Sequence, residues 1–118
     1  MAVISTHTLN SVDGTHAGGI RITVSQITES GQRKILAAGV TDKGGRYSQI
    51  VDLANAAKDA VYEMVLYTSE YFTAAGIRTC ENRMFEEVVV RFKMPDVEGA
   101  YHIPFMLAPN NYSVWCSS

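Results

Sequence analysis

A chain of 118 residues can bury a hydrophobic core without disulfide or metal crosslinks, and its length fits one domain spanning residues 1–118. Its apolar fraction of 47% and charged fraction of 19% are typical of a globular protein and exclude a disordered or membrane-embedded chain. Ten Lys and Arg against twelve Asp and Glu give a net charge of −2, with no basic stripe for nucleic acid.

The amino-terminal residues 1–5 have neither the basic segment nor the long apolar run of a secretory signal, and no window reaches membrane-spanning length. We therefore expect a cytoplasmic protein. Cys80 and Cys116 lie far apart, with no Cys-x-x-Cys spacing and no cluster with histidine. Both are expected to be free thiols, and no metal site or cofactor is predicted.

Three segments alternate with the two-residue period of half-buried strands: residues 20–25, 61–66 and 88–94. Turn-forming residues separate such runs, including Asp13-Gly14 and the stretch 42–45. Only residues 69–75 look helical, with Ser69 as the cap, Glu70 in the first turn and Gly76 as the stop. Seven or eight short strands and one helix predict an all-β, two-sheet sandwich.

The carboxy-terminal residues form two apolar runs joined at Pro109-Asn110-Asn111, which predicts a hairpin. One face of the first run carries residues 101, 103, 105 and 107, which can reach the core. The other face carries His102, Pro104 and Met106 and lacks charges, so we expect it to contact another subunit.

The chain has three histidines, and two of them, His7 and His102, have strand-like apolar neighbours. Such a histidine is more often a structural side chain than a catalyst. His16 lies in a polar turn. Arg46 follows Gly44-Gly45 at the start of a strand, where a solvated edge charge is the simpler interpretation. These residue positions alone therefore leave the chemistry open.

Four segments together carry a resemblance to a known family: Ser5-Thr6-His7, Thr-Asp-Lys-Gly-Gly-Arg at 41–46, Tyr71-Phe72, and Tyr-His-Ile-Pro-Phe-Met-Leu-Ala-Pro-Asn-Asn-Tyr-Ser at 101–113. They resemble the 5-hydroxyisourate hydrolases, the enzyme branch of the transthyretin-like family. The resemblance spans the whole chain. It implies a transthyretin-like sandwich, assembled as a homotetramer with active sites where two dimers meet. It also implies that the chain acts in urate (purine) breakdown.

The family's catalytic residues correspond to His7, Arg46 and His102 of this sequence. Opening a cyclic amide requires a water to lose a proton while a carbonyl gains negative charge. A neutral imidazole can take the proton. A guanidinium beside it disfavours the imidazolium and can hydrogen-bond an anionic substrate or the oxyanion. The sequence does not show which of the two histidines is the general base, and we take His102 as the base.

The carboxy terminus departs from the family, which ends in Tyr-Arg-Gly-Ser, whereas this chain ends in Trp115-Cys116-Ser117-Ser118. The resemblance implies that these four residues bind substrate. Trp115 replaces a phenol by an indole, Cys116 removes a cation, and only Ser118 matches. Cys116 as a nucleophile is a further option, although a free cysteine is more often an inert packed thiol.

Three functions remain open on the sequence. The chain could hydrolyse 5-hydroxyisourate, as retention of His7, Arg46 and His102 favours. It could be a hydrolase or cyclase acting on another heterocycle, because its tail differs. It could be a non-enzymatic ligand carrier, as transthyretin is, although a hydrophobic carrier has little use for three converging polar side chains.

Overall fold

The computed structural model describes residues 1–77 and 84–117, which form nine strands and one helix. Cys80, predicted to be a free thiol, and Ser118, predicted to bind substrate, lie outside these residues. The strands are β1 (Ala2–Asn10), β2 (Thr15–His16), β3 (Arg21–Ile27), β4 (Arg33–Val40), β5 (Arg46–Val51), β6 (Val61–Leu66), β7 (Val88–Lys93), β8 (Ala100–Ala108) and β9 (Asn111–Val114); the helix α1 is Thr68–Ala74.

The strands form two sheets that enclose one core, which confirms the predicted all-β sandwich with one short helix. The first sheet has the order β2-β1-β8-β9, and β5 also pairs with β1. One edge of β1 is shared by β5 and the short β2, and β8 covers the other edge. The pairing of β1 with β8 is parallel. Strand β1 is therefore the centre of the first sheet.

The second sheet has the order β4-β3-β6-β7, and its pairs are antiparallel. It contains the three segments whose period-two pattern predicted strands. Ile22, Val24, Met64 and Leu66 are fully buried, as their alternation requires. This sheet packs these apolar side chains against the inner face of the first sheet, whose outer face is left open to solvent.

Burial alternates without interruption along β1. Ala2 and Ile4 face the core, and Thr6 does so with its hydroxyl donating to the Ile103 carbonyl at 2.6 Å. Because successive strand residues point to opposite faces, Ser5 and His7 lie on the outer face of the sheet.

A buried carboxylate on the second sheet is held by two arginines. Glu63 has a side chain only 7% exposed and accepts from Nε of Arg33 at 3.0 Å and Nε of Arg91 at 3.2 Å. These hydrogen bonds, first that from Arg33, lower the pKa of Glu63 against the opposing effect of burial. Glu63 therefore ties together three strands, β4, β6 and β7.

The helix begins one residue earlier than predicted. Tyr67 precedes it without a side-chain cap hydrogen bond, so the expectation that Ser69 caps the helix is wrong. Glu70 does lie in the first turn, where it pairs with Arg21 at 2.7 Å. Gly76, at φ +70°, follows the helix as predicted. Within the described part of the chain, no helix is long and apolar enough to cross a membrane.

The predicted carboxy-terminal hairpin is confirmed by the antiparallel pairing of β8 with β9. Ile103, Phe105 and Leu107 are buried, whereas Met106 on the opposite face is 41% exposed. The outer face of β8 therefore joins that of β1 to form a continuous, partly apolar surface.

Candidate active site

The outer face of the first sheet brings together the three residues predicted to be catalytic. In the antiparallel pairing of β1 with β5, His7 lies opposite Arg46. In the parallel pairing of β1 with β8, Ser5 lies opposite His102. Because side chains two residues apart share a face, all of them project from the same side of the sheet.

His102 is held by Ser5, a residue to which the sequence assigned no role beyond its place in a family motif. The Oγ atom of Ser5 lies 2.8 Å from Nδ1 of His102. A hydroxyl can donate or accept, so this contact fixes the ring in either tautomer and leaves Nε2 as the nitrogen available for proton exchange. The period of two could have identified Ser5, since it is the outer-face residue next to His7.

The turn before β5 explains how Arg46 reaches its position. Oδ1 of Asp42 accepts hydrogen bonds from the backbone N–H groups of Gly44 and Arg46, both at 2.9 Å. Gly45 closes the turn at φ +75°, and a Cβ there would lie 2.3 Å from the carbonyl oxygen of Thr8. Only glycine satisfies both conditions. This tight turn fixes the register that sets Arg46 opposite His7.

The guanidinium of Arg46 is available for an anion. Arg46 is exposed, and no acidic side chain within residues 1–77 and 84–117 forms an ion pair with it. An arginine presents a planar fork of donors suited to a carboxylate or an oxyanion. The guanidinium of Arg46 therefore has no direct ion pair among the described side chains, although the carboxylate of Asp42 lines the same cleft.

The surroundings of His7 favour its neutral form. Its Nε2 atom lies 2.9 Å from the carbonyl oxygen of Gly44. Partial burial, the positive charge of Arg46 and the neighbouring His16 and His102 lower the pKa of His7, while the hydrogen bond to Gly44 opposes them. A lowered pKa leaves the imidazole uncharged at neutral pH, as a proton acceptor requires.

A cleft of about 420 Å³ lies at this face and is lined by Ser5, Thr6, Asp42, Arg46, Tyr47, Ser48 and His102. Its volume is within the range of about 300–1,000 Å³ usual for small-molecule sites. Arg46 and His102 both line it, whereas His7 lies beside it, opposite Arg46. Asp42, Tyr47 and Ser48 were not predicted from sequence. The cleft can take a small polar ligand between a cation and an imidazole.

The chain beyond β9 continues alongside β8. Ser117 donates its backbone N–H to the His102 carbonyl at 2.9 Å, and Trp115 donates to that of Pro104 at 3.3 Å. Ser117 and Trp115 are thus on the face of His102, and alternation directs Cys116 to the other face. Cys116 is an exposed free thiol. No group of three or more His, Cys, Asp or Glu among the described residues could hold a metal ion.

Known proteins are similar to this chain in sequence and in fold. The chain matches the HIUase/Transthyretin family over residues 4–116. The 5-hydroxyisourate hydrolase of Pseudomonas aeruginosa is 30% identical over 118 residues, covering 100% of this chain and 93% of that protein. The structure of Klebsiella pneumoniae 5-hydroxyisourate hydrolase has a TM-score of 0.78 at 28% identity and covers 100% of both chains. Sea bream transthyretin in complex with thyroxine has a TM-score of 0.80 at 27% identity, covering 97% of this chain and 93% of that chain.

The fold and its structural neighbours define a transthyretin-like β-sandwich protein. Relatives named 5-hydroxyisourate hydrolase match along nearly the whole chain. The chain belongs to the HIUase/transthyretin family.

Proposed function

We propose that this protein is a hydrolase that opens the cyclic amide ring of 5-hydroxyisourate in urate breakdown. The observation that carries the proposal is the register of the first sheet, which sets His7 opposite Arg46 and Ser5 opposite His102 on one face. Relatives at about 30% identity that are named for this activity support the choice of substrate.

In the proposed mechanism, His102 is the general base. It lines the cleft, and in the tautomer whose Nδ1–H donates to the Ser5 hydroxyl, Nε2 is unprotonated and takes a proton from water as the water oxygen attacks the ring carbonyl. The same proton then passes to the ring nitrogen when the carbon–nitrogen bond breaks. The reaction consumes one water and needs no cofactor.

Arg46 stabilises the negative charge in this scheme. Its guanidinium lines the cleft without a described acidic partner, so it is free to bind the substrate anion or the oxyanion that forms on the attacked carbonyl. Burial and the charge of Arg46 lower the pKa of His7, and we propose that neutral His7 accepts a hydrogen bond from the substrate or the attacking water.

The tail residues are proposed to contact the substrate. Strand alternation supports this contact for two of the tail residues. Trp115 and Ser117 lie on the face of His102, whereas the position of Cys116 favours neither substrate contact nor nucleophilic attack. Trp115→Ala is expected to lower kcat/KM about tenfold, and Cys116→Ser to stay within about twofold of wild type. A large loss in Cys116→Ser alone would reverse this assignment.

We further propose that residues 1–118 form one domain and that four copies assemble with the sites where dimers meet. The family match over residues 4–116 supports a single domain. Exposed apolar side chains occupy the same sheet face as the cleft, including Ile50 at 62%, Met106 at 41% and Trp115 at 44% exposure. Exposed apolar side chains that share one face are typical of an interface. Sedimentation or mass photometry tests for the tetramer, and a monomer at micromolar concentration would contradict it.

A related hydrolase activity on another heterocycle is the second candidate. The observation that supports it is the sequence of the tail beside His102. This chain has Trp115-Cys116-Ser117 there, whereas the 5-hydroxyisourate hydrolases have Tyr-Arg-Gly. Restoring Tyr-Arg-Gly at positions 115 to 117 separates the two proposals. A higher rate on 5-hydroxyisourate supports the altered substrate, and a lower rate means that the present tail already suits 5-hydroxyisourate.

The decisive experiment generates 5-hydroxyisourate in situ with urate oxidase and follows its decay with and without the protein. Wild type should accelerate the decay, and His102→Ala and Arg46→Ala should lose most of that acceleration while remaining folded. Lys34→Ala removes an exposed cation from the second sheet and serves as the matched control. A folded tetramer that gives no acceleration would refute the proposed activity and direct the search to other cyclic amides and to ligand binding.

A further inference from the structure

His16 is a histidine that the proposed chemistry does not use. Expected in a polar turn, it lies instead in the short strand β2, opposite Leu9 of β1. Asp13 stabilises the connecting turn, because its Oδ1 accepts from the backbone N–H of Thr15 at 3.0 Å and from its hydroxyl at 2.6 Å. Diagonal neighbours on one face of an antiparallel pair are within reach of aromatic side chains, and His16 thereby reaches His7.

The two imidazoles make both a ring contact and a polar contact. Their centroids are 5.1 Å apart with planes inclined by 26°. Nδ1 of His16 lies 3.0 Å from Nε2 of His7, which is also 2.9 Å from the carbonyl oxygen of Gly44. Nε2 of His7 thus has two neighbours within hydrogen-bonding distance.

The donor and acceptor capacities of these neighbours determine which ring nitrogen of His7 and of His16 carries the hydrogen. A carbonyl oxygen can only accept, so the Gly44 contact requires the hydrogen of neutral His7 to be on Nε2. The facing Nδ1 of His16 must then accept the same hydrogen, because two N–H groups would repel each other at 3.0 Å. The lone pair of His7 consequently resides on Nδ1, and that of His16 on its own Nδ1.

We propose that His16 is a positioning residue for His7. Its Nδ1 atom is the second acceptor for the Nε2–H of His7, so the ring is held at two points and presents an unprotonated Nδ1. Gly44 alone would leave the ring free to tilt about a single hydrogen bond. The catalytic consequence of this arrangement rests on the proposed hydrolase function, whereas the hydrogen bond itself can be detected without substrate.

Nitrogen-15 NMR of the free protein tests the hydrogen bond directly. We expect His7 to be protonated on Nε2, His16 to be unprotonated on Nδ1, and a through-hydrogen-bond coupling between these two nitrogens. The coupling should vanish in His16→Phe, which retains an aromatic ring for stacking but has no acceptor. Absence of the coupling in wild type, or a proton on Nδ1 of neutral His16, would overturn the proposal.

Kinetics tests the consequence for catalysis. Asparagine places an amide oxygen near the position of Nδ1, so His16→Asn keeps the acceptor that His16→Phe lacks. We expect His16→Phe to lower kcat about tenfold with KM within about twofold, and His16→Asn to remain within about threefold of wild type in kcat. Equal losses in both variants, or full activity in His16→Phe, would contradict the positioning role.

The NMR and kinetic measurements distinguish failure of the proposed function from failure of the positioning role. If wild type shows the nitrogen coupling but does not hydrolyse 5-hydroxyisourate, the proposed function fails and the His16–His7 hydrogen bond stands. If wild type hydrolyses the substrate without the coupling, the function stands and the positioning role fails.

Discussion

His7 lies directly opposite Arg46 across the antiparallel pairing of β1 and β5, which makes a guanidinium and an imidazole neighbours on one sheet face. Like charges repel, so the neighbouring cation disfavours protonation of the ring. Arg46 thus adds to the effect of burial, which is the larger cause of the lowered pKa of His7.

Removing this cation should raise the pKa of His7, because Arg46 is among the groups that lower it. Arg46→Gln is expected to move the NMR titration midpoint of His7 upwards, and Arg46→Lys to leave it closer to wild type. In the assay, Arg46→Gln should also lower kcat/KM by about 10²–10³-fold through loss of charge stabilisation. An unchanged midpoint in Arg46→Gln would show that the charge of Arg46 does not control His7.

Ser5→Ala should impair catalysis through His102. The substitution removes the Oγ atom that lies 2.8 Å from Nδ1, so the ring loses the contact that orients it. We expect kcat to fall about tenfold while KM changes little, and Ser5→Thr, which retains a hydroxyl, to recover part of the loss. Steady-state kinetics on the folded variants decides between this outcome and a role for Ser5 in substrate binding, which would raise KM instead.

Gly45→Ala should destabilise the protein more than Gly31→Ala. Both glycines have positive φ, at +75° and +83°, but only at Gly45 would the new Cβ collide with backbone, 2.3 Å from the oxygen of Thr8. Conformational strain alone costs about 1 kcal/mol, and the collision adds to it. We expect denaturant unfolding to show a loss at position 45 that exceeds that at position 31 by about 1–3 kcal/mol. Equal losses would mean that the turn relaxes without cost.

Glu63→Gln should reduce stability at neutral pH and have less effect in acid. The pKa of Glu63 in the folded protein is lowered from its ordinary value of 4.5, so its contribution is complete above pH 4.5. It is lost as the pH falls through the folded pKa, below 4.5.

The expected loss at pH 7 is about 1–3 kcal/mol, which reflects charge-assisted hydrogen bonds to a buried carboxylate. Glu70→Gln is the control, because Glu70 pairs with Arg21 but its side chain is 57% exposed, and it should change stability little. Measuring the free energy of unfolding of both variants at pH 7 and in acid tests these expectations. A Glu63→Gln deficit that does not shrink in acid would contradict the assignment.

Much of the fold could be predicted because its strands are half-buried. The alternation around Ile22, Met64 and Val88 identified β3, β6 and β7 of the second sheet but not β4, and the apolar runs around Pro109 identified the final hairpin. The helix start was misplaced because Tyr67 provides no side-chain cap, so no capping signal marks it in the sequence.

The site was less accessible to sequence reasoning. His7, Arg46 and His102 were identified through family resemblance, because alternation assigns a residue to a face but not to a partner strand. His16 was missed for a related reason. Strand β2 has two residues and exists only through its pairing with Leu9 and Asn10, which two residues of local pattern cannot encode. Ser5 could have been found, since it shares the face of His7.

The parallel pairing of β1 with β8 also sets the order in which the molecule can be completed during synthesis. Strand β1 precedes its neighbour β8 (Ala100–Ala108) by about ninety residues and by strands β2 to β7, so Ser5 and His102 cannot meet until β8 has emerged from the ribosome. Strands β3, β4 and β6 are close in sequence and can pair earlier. Long-range pairing of this kind is slow. A nascent chain truncated before β8 would lack His102 on the outer face of the first sheet, so the proposed activity would arise only after β8 has been translated.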